Sequence, residues 1–223
     1  MSTQFKSAAR QQQSILAPLE KKALHWFAER MPAWVGPDHL TILGFGAMLV
    51  SGVLYYLTRY DSRLLFGVIV CLAINWFGDS LDGTLARYRQ KQRPRYGFYV
   101  DHIVDTFGTL FLIGGLGLSD YMTGIVAMAL LIAYYILSIE IYLATYTIGI
   151  FKLSYGWWGP TELRILLAIG NVFLYFKPRV TIAGSSYLLC DVGAVASVAG
   201  LGVIAIVSTI RNTYRLYNEE RLP

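Results

Sequence analysis

An α-helix needs roughly 20 mostly apolar residues to cross the hydrocarbon core of a bilayer. This chain has six such stretches, near 41–58, 64–86, 98–118, 121–150, 161–177 and 186–210. Backbone N–H and C=O groups find no partners in lipid, so segments of this kind must close their hydrogen bonds internally as helices. The expected class is an all-α integral membrane protein with six transmembrane helices. Composition agrees: 55% of the 223 residues are hydrophobic and 15% are charged, against about 25% charged in soluble domains. Intrinsic disorder is excluded by the apolar content. A disulfide scaffold is excluded because the two cysteines, Cys71 and Cys190, both lie inside apolar runs.

The first sixteen residues are polar and are expected to lack regular structure. They contain no charged stretch followed at once by an apolar core, so no cleaved signal peptide is expected. Residues 17–35 read as an amphipathic helix. Leu19, Ala23, Trp26, Phe27 and Met31 recur at helical spacing, while Lys21, Lys22, Glu29 and Arg30 supply a charged side, a pattern that suits the headgroup plane of a membrane. Two units result: an N-terminal cytoplasmic segment, 1–35, and one six-helix transmembrane domain, 36–223. The pair Trp157-Trp158 is expected to anchor the membrane interface, where aromatic side chains concentrate. Asp191, near one end of the last span, is expected to face water.

The net charge of +5 does not indicate nucleic acid, because the basic residues sit between apolar segments rather than along one face. Six spans place both termini on one side. Of the 19 Lys and Arg residues, 15 fall on that side and 4 (Arg59, Arg63, Lys177 and Arg179) on the other. Basic loops remain cytoplasmic, so both termini are expected there.

Charged groups within membrane segments are costly and mark function. Asp79 and Asp82 close the second span, and Asp101 and Asp105 open the third. Spacings of three and four put each pair on one helix face, and a short basic loop joins the two helix ends. Four carboxylates then converge at the cytoplasmic boundary, where like charges oppose one another's ionisation. A divalent cation relieves this: Mg²⁺ and Mn²⁺ take oxygen ligands, and two such ions clamp both ends of a phosphoryl displacement. Gly78, Gly83 and Gly97 leave room for a phosphate or nucleotide against the backbone, and Arg87 offers a guanidinium fork for phosphate oxygens. The competing expectation is that the acids are interfacial and paired with Arg87, Arg89 or Arg95.

Asp79-Ser-Leu-Asp82-Gly83-Thr-Leu-Ala86-Arg87, nine intervening residues, then Gly97-Phe-Tyr-Val-Asp101-His-Ile-Val-Asp105 resembles the signature of the CDP-alcohol phosphotransferase family, D-x-x-D-G-x-x-A-R followed by G-x-x-x-D-x-x-x-D. The resemblance implies a six-span fold and transfer of a phosphoalcohol from a CDP-linked donor to an acceptor alcohol, with release of CMP. It implies that Asp79, Asp82 and Asp101 hold the metal ions, Mg²⁺ or Mn²⁺ and two in number. Asp105 would take the acceptor hydroxyl proton and share in the metal site. Gly83, Ala86, Arg87 and Gly97 would border the CDP moiety. Pro37-Asp-His-Leu-Thr41 resembles the family's P-N-x-L-T segment beside the nucleotide, which makes Asp38 and Thr41 donor-site candidates, with Asp38 replacing the usual Asn.

The substrates divide two ways. Asp101-His102, Gly159-Pro-Thr-Glu162 and Tyr146-Thr-Ile-Gly149 resemble short segments of choline and ethanolamine phosphotransferases and slightly favour a CDP-choline or CDP-ethanolamine donor with diacylglycerol as acceptor. The compact chain length favours the alternative, CDP-diacylglycerol with a soluble alcohol.

His102 is a second proton-acceptor candidate. Glu140, deep in the fourth span, is an acceptor-pocket candidate that needs a partner or a water-filled cavity. Arg93 and Glu162 are further acceptor-site candidates, although Glu162 and Arg164 also read as helix-start charges. Small residues in the sixth span, from Gly193 to Gly202, permit close helix approach, and the resemblance implies a homodimer. Membrane lipids are expected around the spans. The rival from another class is an ion-coupled transporter, which usually carries its acids near the midplane with repeat symmetry; here they cluster at one interface and no repeat is present.

Overall fold

The computed structural model describes residues 9–11, 16–152 and 159–221 of the chain. Trp157 and Trp158 lie outside the described residues. Seven α-helices make up most of the fold: α1 (Ala17–Arg30), α2 (Pro37–Leu57), α3 (Leu64–Tyr88), α4 (Pro94–Gly117), α5 (Gly124–Ile148), α6 (Pro160–Phe176) and α7 (Leu189–Glu219). Four of them, α2, α3, α5 and α7, are long and apolar enough to cross a membrane. The other two segments expected to span are helical as well. α4 carries Arg95, Asp101, His102 and Asp105 in its first half, and α6 has 17 residues, short of the roughly 20 that a bilayer core asks for.

Helix starts follow from local chemistry. Pro occupies the first turn of α1, α2, α4 and α6, where its missing N–H costs nothing. α5 ends at Gly149 with φ +76°, a left-handed backbone that glycine adopts freely. The Asp191 carboxylate accepts hydrogen bonds from the Thr123 N–H (2.8 Å) and the Thr123 hydroxyl (2.5 Å) at the start of α5, so its role is to cap a helix as well as to meet solvent.

α2 lies against both α3 and α4, α5 joins α4 to α7, and α6 and α1 both pack on α3. Two glycine crossings set this arrangement. A Cβ on Gly78 of α3 would stand 2.5 Å from the Leu40 carbonyl oxygen of α2, and a Cβ on Gly115 of α4 would overlap the backbone of Gly52 in α2. Gly78 therefore serves helix packing, which corrects its reading as space for a phosphate.

One buried cluster gathers Tyr55, Leu65, Val68, Leu72, Leu112 and Leu116 at the end of the bundle away from the acids. A second, of Leu24, Ala28, Leu40, Leu81 and Leu85, seats α1 on α2 and α3 beneath the motif. Just past the end of α1, Arg89 donates to the carbonyl oxygens of Met31 (2.9 Å), Pro32 (2.9 Å) and Val35, tying the turn between α1 and α2 to the end of α3.

Two short sheets add to the helices. A parallel pair joins β1 (Ala9–Gln11) to β2 (Ile150–Lys152), so part of the N-terminal stretch expected to be irregular is extended and paired. An antiparallel hairpin joins β3 (Arg179–Ile182) to β4 (Ser185–Leu188) through Ala183 and Gly184, both at positive φ, the backbone of a tight two-residue turn. The last helix consequently begins at Leu189 rather than near 186.

Candidate active site

Asp79 and Asp82 lie near the end of α3 and Asp101 and Asp105 in the first half of α4. Helical spacing turns each pair toward the other helix, and α2 closes the third side. One carboxylate oxygen each from Asp79, Asp101 and Asp105 lies within 4.8 Å of the others, with all three residues half-buried. These acids and Asp82 line one small cleft together with Thr41, Gly44, Phe45, Asn75 and Val104. Asp82 faces α2: its Oδ2 accepts the Thr41 hydroxyl at 2.6 Å, and its Oδ1 accepts the Gly83 N–H.

A cation from α6 is bonded to this cluster. Arg164 donates through Nη2 to Asp79 Oδ2 at 2.6 Å and through Nε to Asn75 Oδ1 at 2.8 Å. Asn75 is itself buried and donates to the Gly44 carbonyl oxygen at 3.1 Å, so the α2–α3 crossing also holds the arginine. At an effective dielectric near 20, two unit charges 4.8 Å apart repel by about 3 kcal/mol. Gathering the carboxylates of Asp79, Asp101 and Asp105 this closely concentrates negative charge in the cleft. An all-carboxylate donor set of this kind matches the preference of hard divalent cations for oxygen.

Of the donor-side candidates Thr41 lines this cleft, and Asp38, Gly83, Ala86, Arg87 and Gly97 do not. Arg87 is exposed and donates to the Thr84 hydroxyl at 3.1 Å, and Gly83 leaves its guanidinium just enough room. Ala86 is half-buried, and Gly97 faces open space. Asp38 forms an ion pair with Arg93, whose guanidinium also lies 4.0 Å from the centre of the Tyr96 ring. His102 sits beside the acids with Nδ1 2.6 Å from the Phe98 carbonyl oxygen, and its ring stacks on Phe98 and meets the edge of Tyr142.

None of the three acceptor-pocket candidates lines the cleft. Arg93 is occupied with Asp38. Glu140 accepts from Ser208 Oγ (2.8 Å) and Asn212 Nδ2 (2.7 Å), so its partner is α7 and its visible work is to join α5 to α7. Glu162 accepts the N–H groups of Gly159 and Leu16, each at 3.0 Å, at the start of α6.

The CDP-alcohol phosphatidyltransferase family matches residues 34–208, from just before α2 to well inside α7. The chain belongs to the CDP-alcohol phosphatidyltransferase family. It is 32% identical over 104 residues to archaetidylinositol phosphate synthase of Pyrococcus horikoshii, covering 47% of this chain and 52% of that one. It is 27% identical over 161 residues to an uncharacterized class-I member of the family from Dictyostelium discoideum, covering 68% of this chain and 41% of that one. The chain thus spans about half the length of these curated relatives. Its fold is similar to that of Mycobacterium tuberculosis phosphatidylinositol phosphate synthase, solved with CDP-DAG bound, at a TM-score of 0.56, 16% identity and coverage of 92% of this chain and 99% of that one. Membership in the CDP-alcohol phosphatidyltransferase family sets the transporter alternative aside.

Sequence reading placed Arg164 at a helix start and did not single out Asn75. The available signals were faint. Asn75 is a polar residue in an apolar run, four before Asp79 and on the same helix face. Arg164 lies one turn into α6, just before the apolar run 165–169.

Proposed function

We propose that this chain is a membrane-embedded phosphatidyltransferase that moves the phospholipid portion of a CDP-diacylglycerol-type donor onto the hydroxyl of a soluble alcohol and releases CMP. The observation that carries the reading is the convergence of Asp79, Asp101 and Asp105 within one cleft in a chain of this family. The named relatives are inositol phosphate lipid synthases, which supports a lipid-bearing donor over CDP-choline or CDP-ethanolamine.

The short matches that had favoured choline and ethanolamine phosphotransferases have local explanations. Gly159-Pro-Thr-Glu162 is a helix start: Pro160 occupies the first turn, Thr161 donates to Glu20 at 2.7 Å, and Glu162 caps Gly159. His102 is held against the Phe98 carbonyl.

In the transfer, the acceptor hydroxyl oxygen attacks the phosphorus that bears the lipid. A new P–O bond forms while the bond from that phosphorus to the oxygen of CMP breaks, and this oxygen leaves with the electron pair. Asp105 takes the hydroxyl proton, the role of a general base placed at the nucleophile. Asp79 and Asp101, with Asp82 beside them, would hold Mg²⁺ or Mn²⁺, two ions in the family resemblance; bound there, the metal supplies positive charge against the pyrophosphate oxygens. Thr41 fixes Asp82, and Arg164 fixes Asp79.

The excess of basic residues on one side supports a cytoplasmic cleft. The small face of α7 supports a homodimer, because a Cβ at Gly193, Gly200 or Gly202 would meet nothing within 4 Å in the protomer.

The test supplies purified protein with CDP-diacylglycerol and a soluble alcohol, either inositol phosphate or glycerol phosphate, and separately with CDP-choline or CDP-ethanolamine and diacylglycerol. CMP release with the first set alone supports the reading. Release with the second set alone overturns the substrate assignment.

A further inference from the structure

Arg164 reaches the acid cluster from a helix that carries none of the acids. Its place is built rather than incidental. Thr161 donates to Glu20 of α1 at 2.7 Å, and Glu20 also accepts from Trp76 Nε1 (2.9 Å) and Ser80 Oγ (3.1 Å) of α3. Glu162 caps the same helix start. Residues on both sides of Asp79, together with the first turn of α6, are therefore tied to one carboxylate, and this tie delivers Arg164 to Asp79.

The guanidinium is nevertheless incompletely served. Nε and Nη2 have partners, while Nη1 is buried without a hydrogen-bond partner among the described residues. A permanently seated buried guanidinium normally has its donors satisfied. Here the attraction of Asp79 holds the group in a site whose polar fit is unfinished. Asp79 also contributes an oxygen to the cluster in which a divalent cation would sit. The same carboxylate is thus claimed by two cationic partners.

We infer that Arg164 is a built-in counter-cation for the carboxylate cleft, a positioning residue that holds Asp79 when no metal is bound and competes with the divalent cation for it. This rests on the metal-dependent reading of the cleft above. Three consequences follow from charge alone. Removing the guanidinium leaves the cluster more negative, so divalent affinity rises. A lysine at 164 keeps the charge near Asp79 and keeps affinity near that of the parent protein. Metal binding to the parent protein loosens the contact between Arg164 and Asp79.

The experiment measures Mn²⁺ binding to the purified full chain in detergent by electron paramagnetic resonance, with folding checked by gel filtration. The parent protein is compared with Arg164→Gln and Arg164→Lys. Arg164→Gln is expected to bind Mn²⁺ at least about tenfold more tightly, and Arg164→Lys within about threefold of the parent. If Arg164→Gln does not yield folded protein, the Nε–H resonance of Arg164 in the parent protein is followed during Mg²⁺ addition, and a shift that saturates with the metal supports the inference. Equal or weaker Mn²⁺ binding by Arg164→Gln overturns it, as does an Arg164 resonance that Mg²⁺ leaves unmoved. Absence of Mn²⁺ binding by the parent protein is a different result and overturns the metal reading itself.

Discussion

Arg164 and Asp79 stand 85 residues apart in the chain, and their side chains meet at 2.6 Å inside the bundle. The contact brings α6 to the acid-lined cleft, although the whole signature motif lies on α3 and α4. It also shows why the first helix matters. Glu20 on α1 binds side chains of both α3 and α6, so a helix lying outside the motif holds together the two elements that meet at Asp79.

Replacing Glu20 tests that tie. Glu20→Ala leaves the donors of Trp76, Ser80 and Thr161 without their shared acceptor and is expected to cost about 2–3 kcal/mol of stability, read as an earlier thermal unfolding transition in detergent. Glu20→Gln retains an acceptor oxygen and should lose less. Unchanged unfolding in both variants would show that α1 does not brace the site.

Glycine substitutions separate packing from open positions. Gly78→Ala places a methyl group against the backbone of α2 and should sharply lower the yield of folded protein, because neither helix can shift without moving the acids. Gly46→Ala, on α2 with nothing within 4 Å, should be neutral or slightly stabilising. Thermal unfolding of the two variants side by side checks the contrast.

Much of the architecture is legible in sequence because its causes are local. Apolar runs announce the long helices, and the spacing of Asp79, Asp82, Asp101 and Asp105 announces a shared face. What is illegible depends on partners far along the chain. Asn75 meets Gly44 across 31 residues and Thr161 meets Glu20 across 141, and no periodicity encodes either meeting. Glu140 shows the same limit from the other direction. A carboxylate in a membrane segment calls for a partner, but only the packing of α5 on α7 identifies Ser208 and Asn212 as that partner. The hairpin at 179–188 was hidden because Ala183-Gly184 is a weak turn signal next to an apolar run.

Glu140 therefore supports a prediction opposite to its first reading. Glu140→Ala should lower stability by about 1–3 kcal/mol through the unpaired Ser208 and Asn212 groups, while KM for the acceptor alcohol changes little. A large rise in KM with normal unfolding would return Glu140 to the acceptor pocket.

The four aspartates should divide between binding and chemistry. Asp79→Asn and Asp101→Asn are expected to lose both metal and donor binding, since these two are assigned to holding the metal and Asp105 chiefly to the acceptor proton. Asp82→Asn should retain its Thr41 contact but bind metal more weakly. Isothermal titration with Mg²⁺ and CDP checks each case, and undiminished binding in Asp101→Asn would remove that residue from the metal site.

The most direct test of the central claim is CMP release from CDP-diacylglycerol by the purified protein and by Asp105→Asn, each with Mg²⁺ and after exhaustive chelation. The account predicts release by the parent protein only with the divalent cation. It predicts a loss of about 10²–10⁴-fold in kcat for Asp105→Asn, with donor binding largely kept. Full activity after chelation, or near-normal turnover by Asp105→Asn, would contradict the assignment of this cleft as the site of phosphoryl transfer.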